Sequence, residues 1–410
     1  MLNWAHQFSI LLFSDNNNYP TAHTSYECLL GAGASKIIDC TGPDPLAALQ
    51  QAHDTLPDWM FGHICYDYKN ILEPKLNSSH GAQHGYPLIQ FFVPETVCHI
   101  SRNLDVLTIA TFGNPATIYR EIMASSDTIS NGYAVKQAFA GNMTEQSYLN
   151  TVNRLREHIA AGDCYEINYC YGGNSPGATI APLETFHALN SLSPAPFAAW
   201  YRLDDQYMMC ASPERYLCRK GEKLISQPIK GTARREQDPA ADQQIKTNLK
   251  NSIKERAENV MIVDLVRNDL ARCCITGSVT VDELCGIYTF PQVHQMISTV
   301  SGTMLPDAPF TDAIRVSFPM GSMTGAPKFK VMQLIEQYEP ARRELFSGTV
   351  GYITPGGDFD FNVVIRSLFY NAVTHLLSYQ AGGAITYDSE PAAEWAEMRL
   401  KSWALERIFQ

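Results

Sequence analysis

Ala198-Ala199-Trp200-Tyr201, Tyr207-Met208-Met209-Cys210-Ala211 and the long run Tyr216 to Ile229 follow one another with only short turns between them. Each is rich in aromatic, sulfur-bearing or β-branched residues, the composition of buried strands. Upstream, Tyr165 to Tyr171 reads as a further strand, and so do Phe8 to Phe13, Pro87 to Val93 and Leu104 to Ala110. Downstream, Thr349 to Thr354 and Phe359 to Tyr370 read as a hairpin around Pro355-Gly356-Gly357-Asp358, and Leu376 to Ala381 as a strand reaching Gly382-Gly383. Four helical patterns lie between and after these runs. The first starts at an N-cap, Thr144, carries Tyr148, Leu149, Val152, Leu155 and Ile159 on one face, and ends at Gly162. The second starts after Asp238-Pro239 and runs to about Asn268; the third opens at Pro327; the last is capped by Ser389, with Pro391 in its first turn. Strands and helices come in runs, not in strict alternation, which predicts an α+β fold. Residues 1–140 read as a sheet-rich segment without a chemical motif, and 141–410 as the region that carries the chemistry.

The bulk properties exclude several classes. A chain of 410 residues, 45% hydrophobic and 18% charged, suits a globular protein with a large core. Its net charge of −11 comes without a basic cluster, so no nucleic-acid footprint is present. The eleven cysteines are scattered and show no C-x-x-C spacing, which argues against zinc and for reduced thiols in a cytosol. No apolar run is long enough to span a bilayer, and the Phe8 to Phe13 patch lacks the basic flank of a signal peptide.

Chemistry is suggested at several places. Pro228-Ile229-Lys230-Gly231-Thr232 puts a lysine in a tight turn, where it is a nucleophile, a base or a solvated charge. Glu255 and Glu258, then Glu394 and Glu397, are pairs three residues apart, so each pair shares one helix face. Four carboxylates converging repel one another unless a hard cation such as Mg²⁺ sits between them; solvated helix faces are the alternative. Gly321-Ser322-Met323-Thr324-Gly325-Ala326-Pro327-Lys328 is a small-residue loop opening a helix, whose free N–H groups suit a carboxylate or phosphate. Arg366, in a β-branched run, needs an anionic partner from substrate or structure. His294 reads as a core histidine or a site residue, and Glu214 as a surface ion-pair partner or a general acid raised by burial.

Taken together, Ser212 to Leu217, Pro228 to Thr232, Glu258 to Leu270, Val293 to Val300, Phe318 to Lys328, Asp360 to Ser367 and Ala381 to Lys401 resemble the chorismate-utilising enzymes. That family includes anthranilate, isochorismate, salicylate and aminodeoxychorismate synthases. The resemblance covers about 260 residues in family order and is loose over the N-terminal third. It implies one large unit of two antiparallel sheets in a sandwich, helices outside, and an active-site cleft. It implies Glu258 and Glu397 as Mg²⁺ ligands, with Glu255 and Glu394 as supporting carboxylates, and a metal that binds the ring carboxylate of chorismate. Arg366 and Tyr352, helped by backbone N–H groups near Gly382 and Gly383, would hold the enolpyruvyl carboxylate. Lys401, Ser322 and Thr232 would contact substrate, His294 would lie beside the ring, and Glu214 would protonate the departing C4 hydroxyl.

Two positions choose between activities within the resemblance. Lys230 stands where aminodeoxychorismate synthases have lysine and anthranilate synthases alanine. Glu166 stands where the water-adding enzymes have a lysine base, and where aminating ones often have glutamine. This implies amination of chorismate to 4-amino-4-deoxychorismate through a Lys230 adduct, for p-aminobenzoate and folate synthesis, with ammonia from a separate glutamine amidotransferase. Ala384 departs from the usual A-G-A-G pattern. Rival readings are a sister synthase and a non-catalytic chorismate-binding subunit. The resemblance also implies tryptophan as a candidate ligand of the N-terminal sheet, at Leu11-Leu12-Phe13-Ser14, where a plain buried strand is the alternative.

Overall fold

A computed structural model describes residues 1–20, 22–103, 106–125, 136–291 and 293–410. The first two residues of the expected strand Leu104 to Ala110 lie outside this set; the observed strand is Leu107–Thr111. Two antiparallel sheets make up the fold. One runs, edge to edge, through Gly325–Ala326, Glu166–Pro176, Leu376–Ile385, Ser367–Asn371, Gln206–Ser212, Phe197–Leu203, Ile10–Asp15, Tyr26–Ala32, Thr96–Ser101 and Leu107–Thr111, and Ala140–Gly141 also pairs with Glu166–Pro176. The other runs through Ile229–Arg234, Val293–Thr303, Lys223–Gln227, Arg215–Lys220, Phe359–Asn362, Thr349–Ile353, Met60–Ile64, Ile89–Val93 and Lys36–Ile38, and Thr280–Thr289 also pairs with Val293–Thr303. The α+β expectation holds.

The first strand shows how this sandwich is read from side-chain alternation. Ile10 and Leu12 join the core between the sheets, while Leu11 and Phe13 join a second core on the outer face. Both sets are buried because helices cover that outer face, so the strand reads as a continuous apolar run. Those helices are Glu145–Ala160, Pro182–Leu192, Lys328–Tyr338 and Pro391–Arg407. The sheets approach closely: a Cβ on Gly31 of one would lie 2.7 Å from the Phe61 ring of the other.

Several elements differ from expectation. Tyr216 to Ile229 is a hairpin, Arg215–Lys220 and Lys223–Gln227, turned at Gly221 with φ +57. Lys230 therefore sits near the start of the next strand and not in a turn, beside a register shift between Ile229 and Thr232. The long helix after Asp238 is two helices, Pro239–Asn251 and Ile253–Ala271, because Ser252 ends one and caps the other, accepting from Glu255 N. Phe359 to Tyr370 is not one strand. Phe359–Asn362 belongs to one sheet and Ser367–Asn371 to the other, and the chain crosses between them at Val363 to Arg366, where Arg366 takes φ +53. Ser389 does not cap the last helix; Glu390 holds that position and the Ser389 hydroxyl donates to Glu394. Helices at Pro45–Thr55, Pro115–Ala124, Pro182–Leu192 and Phe310–Ser317 were not expected. Their short apolar stripes lie in segments rich in turn residues.

Candidate active site

The crossing point places Arg366 at the seam between the two sheets, beside a cleft of about 840 Å³ that opens to solvent. Its lining of apolar side chains with convergent charged ones suits a small organic ligand. Its walls come from four sources: the Ile229–Arg234 and Val293–Thr303 strands, the start of the Ile253–Ala271 helix, the Gly321–Met323 loop, and the Gly382 strand with the final helix.

Local interactions set each wall. Ser252 fixes the start of the Ile253–Ala271 helix, and Asn259 ties that helix to the neighbouring strand by accepting from Ser298 Oγ and donating to Met296 O. Lys254, Glu255 and Glu258 thereby face the cleft. Gly231, at φ +91, permits the close approach: a Cβ there would meet Glu255 Oε2 at 2.9 Å. The Ser322 loop is clamped by buried Arg343, which donates to Met323 O at 2.7 Å, Asn168 O at 2.8 Å and Glu339 Oε1 at 2.6 Å. On the last helix, Lys401 donates to Gly382 O at 2.9 Å and pairs with Glu397 at 2.6 Å.

Six carboxylates, Glu166, Glu214, Glu255, Glu258, Glu394 and Glu397, meet four cationic side chains, Lys230, Lys254, Arg366 and Lys401. Burial raises Glu214 to about 7, and its Oε1 accepts from Ser322 Oγ at 2.6 Å. Burial raises Glu258 further, to about 8, and raises Glu255 as well. Lys401 holds Glu397 below the usual carboxylate range. Burial pulls against the Lys230 ammonium, but the Glu166 carboxylate in contact with it, with Glu258 behind, outweighs burial and holds the ammonium form. Burial lowers Arg366 to about 10, which leaves it charged at neutral pH. Its Nη1 donates to Lys401 O at 3.0 Å, and no ion pair to a carboxylate is formed among the described residues.

The expected residues divide accordingly. Lys230, Thr232, Glu214, Ser322, Arg366, Gly382, Lys401, Glu255, Glu258 and Glu397 line one cleft. Glu394 stands just behind, accepting from Ser389 Oγ at 2.7 Å and Lys254 Nζ at 3.2 Å. Gly383 lies against Glu394 and Lys401 rather than on the cleft wall, because successive strand residues face opposite sides.

Two expected residues lie elsewhere. Tyr352 sits among Tyr26, Trp59 and Phe61, in a different pocket, and Phe346 reaches the cleft instead. His294 faces away. In an antiparallel pair directly opposed residues share a face, and the register sets Thr232 against Gln295 and Ala233 against His294. Gln295 therefore joins the cleft, and His294 packs toward the Pro239–Asn251 helix, with Nε2 3.1 Å from Asp242 Oδ1 and Nδ1 3.0 Å from Thr289 Oγ1. Sequence reading missed Gln295, Phe346, Lys254 and Asn168; strict period two along Val293–Thr303, anchored on buried Met296, would have found Gln295.

A divalent cation is tested by the donors present. The carboxylates are an all-oxygen set suited to a hard cation. Glu258 Oε1 is buried without a hydrogen-bond partner, and so is Glu166 Oε2. Among the described residues no three carboxylates are already gathered around one point. In chemical type the donor set fits such an ion.

The fold, the cleft and these residues define a chorismate binding enzyme: the chain belongs to that family, matching it over residues 10–407. It is 34% identical over 304 residues to aminodeoxychorismate synthase component 1 of Salmonella typhimurium, covering 73% of this chain and 65% of that protein. It is 32% identical over 352 residues to an anthranilate synthase component I-like protein of Synechocystis, covering 85% and 71%. The chain thus spans a little under two thirds of the Salmonella relative. Among solved structures, anthranilate synthase component I from Streptococcus pneumoniae superposes with a TM-score of 0.82 at 23% identity, covering 96% of this chain and 94% of that one. The Escherichia coli menaquinone-specific isochorismate synthase MenF superposes at 0.77 and 17% identity, covering 100% and 91%. At these identities the structures establish the shared fold. Among the described residues no helix is long and apolar enough to cross a membrane.

Proposed function

We propose that this protein aminates chorismate to 4-amino-4-deoxychorismate, a step toward p-aminobenzoate and folate, as the names of its aminodeoxychorismate synthase relatives suggest. The observation that carries the reading is Lys230: a buried lysine in a cleft that also holds a carboxylic acid, Glu214, raised to about 7. Arg366, free of any carboxylate ion pair among the described residues, suits one substrate carboxylate. Mg²⁺ held by Glu258 and Glu397, with Glu255 and Glu394 in support, would neutralise the other carboxylate. Lys230 Nζ loses a proton and forms a bond to C2. Both ring double bonds shift, C1=C2 to C1=C6 and C5=C6 to C4=C5, the C4–O bond breaks, and Glu214 supplies the proton with which the hydroxyl leaves as water. Ammonia then adds at C4, both double bonds shift back, and the C2–N bond to Lys230 breaks.

Glu166 is the acceptor in contact with Lys230 Nζ, so the proton has a place to go. A broad depression lined by Arg235, Phe290, Leu400 and Trp403 shares Thr232, Gln295, Arg366 and Lys401 with the cleft. Ammonia from a separate glutamine amidotransferase would enter there. Tryptophan would occupy the other pocket, where Leu12 and Ser14 face Tyr26, Tyr352, Asp15 and Glu27; a rise in melting temperature with tryptophan tests this. The eleven free cysteines suit a reducing cytosol.

The test is incubation with chorismate, Mg²⁺ and ammonium at mildly alkaline pH, with products identified by mass. Aminodeoxychorismate, lost in Lys230→Ala, supports the reading. Anthranilate or isochorismate as product, or no consumption even with a glutaminase partner and glutamine, sinks it.

A further inference from the structure

The carboxylates proposed to hold a cation sit on two different helices, and one side chain joins them across the gap. Lys254 Nζ lies 3.2 Å from Glu394 Oε1 on the last helix and 3.8 Å from Glu258 Oε1 on its own. Its side chain remains 43% exposed, while those of Glu394 and Glu258 are almost fully buried. Lys401 makes the other pairing, to Glu397, but is also tied to Gly382 O. Lys254 has no comparable backbone tether: its hydrogen-bond partner is Glu394, and it stands at the solvent side of the cleft.

We infer that Lys254 is a tethered counter-ion, which bridges Glu258 and Glu394 in the metal-free protein and swings into solvent when a divalent cation takes those oxygens. The inference rests on the metal reading above and adds a residue to it. An ammonium group bonded to Glu394 Oε1 and 3.8 Å from Glu258 Oε1 strongly repels a divalent ion placed against those same carboxylates. A long lysine stem lets the charged end leave while its methylenes stay on the helix surface. Lys254 is thus a positioning residue: it sets metal affinity and touches no reacting atom.

Metal binding is the readout. Mn²⁺ is titrated into the full chain and free Mn²⁺ is followed by electron paramagnetic resonance, with Mg²⁺ measured by competition. Lys254→Met is expected to bind Mn²⁺ about fivefold or more tightly, since a competing positive charge is removed at short range. Lys254→Arg keeps the charge and is expected to stay near wild type. Arg256→Met removes the same charge from the same turn, outside the cleft, and is expected to leave affinity unchanged. Thermal unfolding adds a second readout: without metal Lys254→Met melts lower than wild type, and saturating Mg²⁺ closes the gap. Unchanged or weaker binding in Lys254→Met overturns the inference, and so does equal tightening in Arg256→Met. Failure of the wild-type chain to bind Mn²⁺ in a way that Glu258→Gln weakens removes the metal reading itself, and the counter-ion role with it.

Discussion

Lys230 and Glu166 form the contact on which the proposed chemistry turns, and it is an unusual one for the proposed nucleophile. An amine attacks only when neutral, whereas the Glu166 carboxylate, against the pull of burial, favours the ammonium. Glu166→Gln removes that anion, so the pKa of Lys230 falls. The rising limb of the pH–rate profile should then move to lower pH by about one unit or more, measured as kcat/KM for chorismate from pH 6 to 10. A limb that does not move would mean that Glu166 is not what holds the lysine protonated. Glu258 gives a second test with the opposite partner, solvent. Its folded pKa of about 8 lies above its ordinary 4.5, so the folded state binds the extra proton and stability falls as pH rises from 4.5 to 8. Metal-free Glu258→Gln should therefore be more stable than wild type at pH 8, by about 2 kcal/mol or more, and similar to it at pH 4, as read from urea unfolding. Equal stability at pH 8 would place the Glu258 carboxylate in a far wetter setting than its burial indicates.

At the scale of elements, the paired glutamates were legible because a spacing of three on a helix fixes a shared face whatever the exact ends of the helix. Lys230 and Arg366 were legible as residues, but their settings were not. Both lie where a strand is irregular: one beside a register shift, the other where the chain changes sheets. Regular alternation does not encode such irregularities. His294 and Tyr352 show the sharper limit. A slip of one residue along a strand reverses the face, so a histidine one position from the cleft packs against a helix while Gln295 enters. Ser252 tests how far the helix carrying Lys254, Glu255 and Glu258 depends on its cap. Ser252→Ala loses the acceptor for Glu255 N and should cost about 1 kcal/mol of stability, while turnover should fall more than in a cap variant of Thr144, which starts a helix that does not line the cleft. Similar turnover in both would show that the helix start is held by packing alone.

For the whole molecule, the fold class was legible because runs of strands and runs of helices alternate in blocks. The assignment of strands to sheets was not, because partners come from distant parts of the chain: Ile10–Asp15 pairs with Phe197–Leu203, and Met60–Ile64 with Thr349–Ile353. His63 links the two sheets. Its Nδ1 accepts from Tyr201 OH at 3.0 Å and its Nε2 donates to Pro87 O at 2.8 Å, which defines a neutral ring. Burial lowers its pKa to about 4, against an ordinary 6.5, so the unfolded chain binds a proton that the folded one refuses. Stability should decline as pH drops from 6.5 toward 4. His63→Gln should flatten that part of the curve in chemical denaturation from pH 4 to 8, and an unaltered slope would assign the acid sensitivity to other groups.

The closing helix, Pro391–Arg407, has a consequence for how the protein comes into being. It brings Glu394, Glu397 and Lys401 to a cleft whose other walls are drawn from residues 166 onward, and Lys401 O is also the acceptor for Arg366. Without that helix Arg366 lacks its backbone partner, and the carboxylates of the Ile253–Ala271 helix face only the Lys230 side of the cleft. A chain in which that helix is undocked therefore lacks Glu397 and Lys401 at the cleft and the backbone acceptor of Arg366, whatever the rest of the fold does.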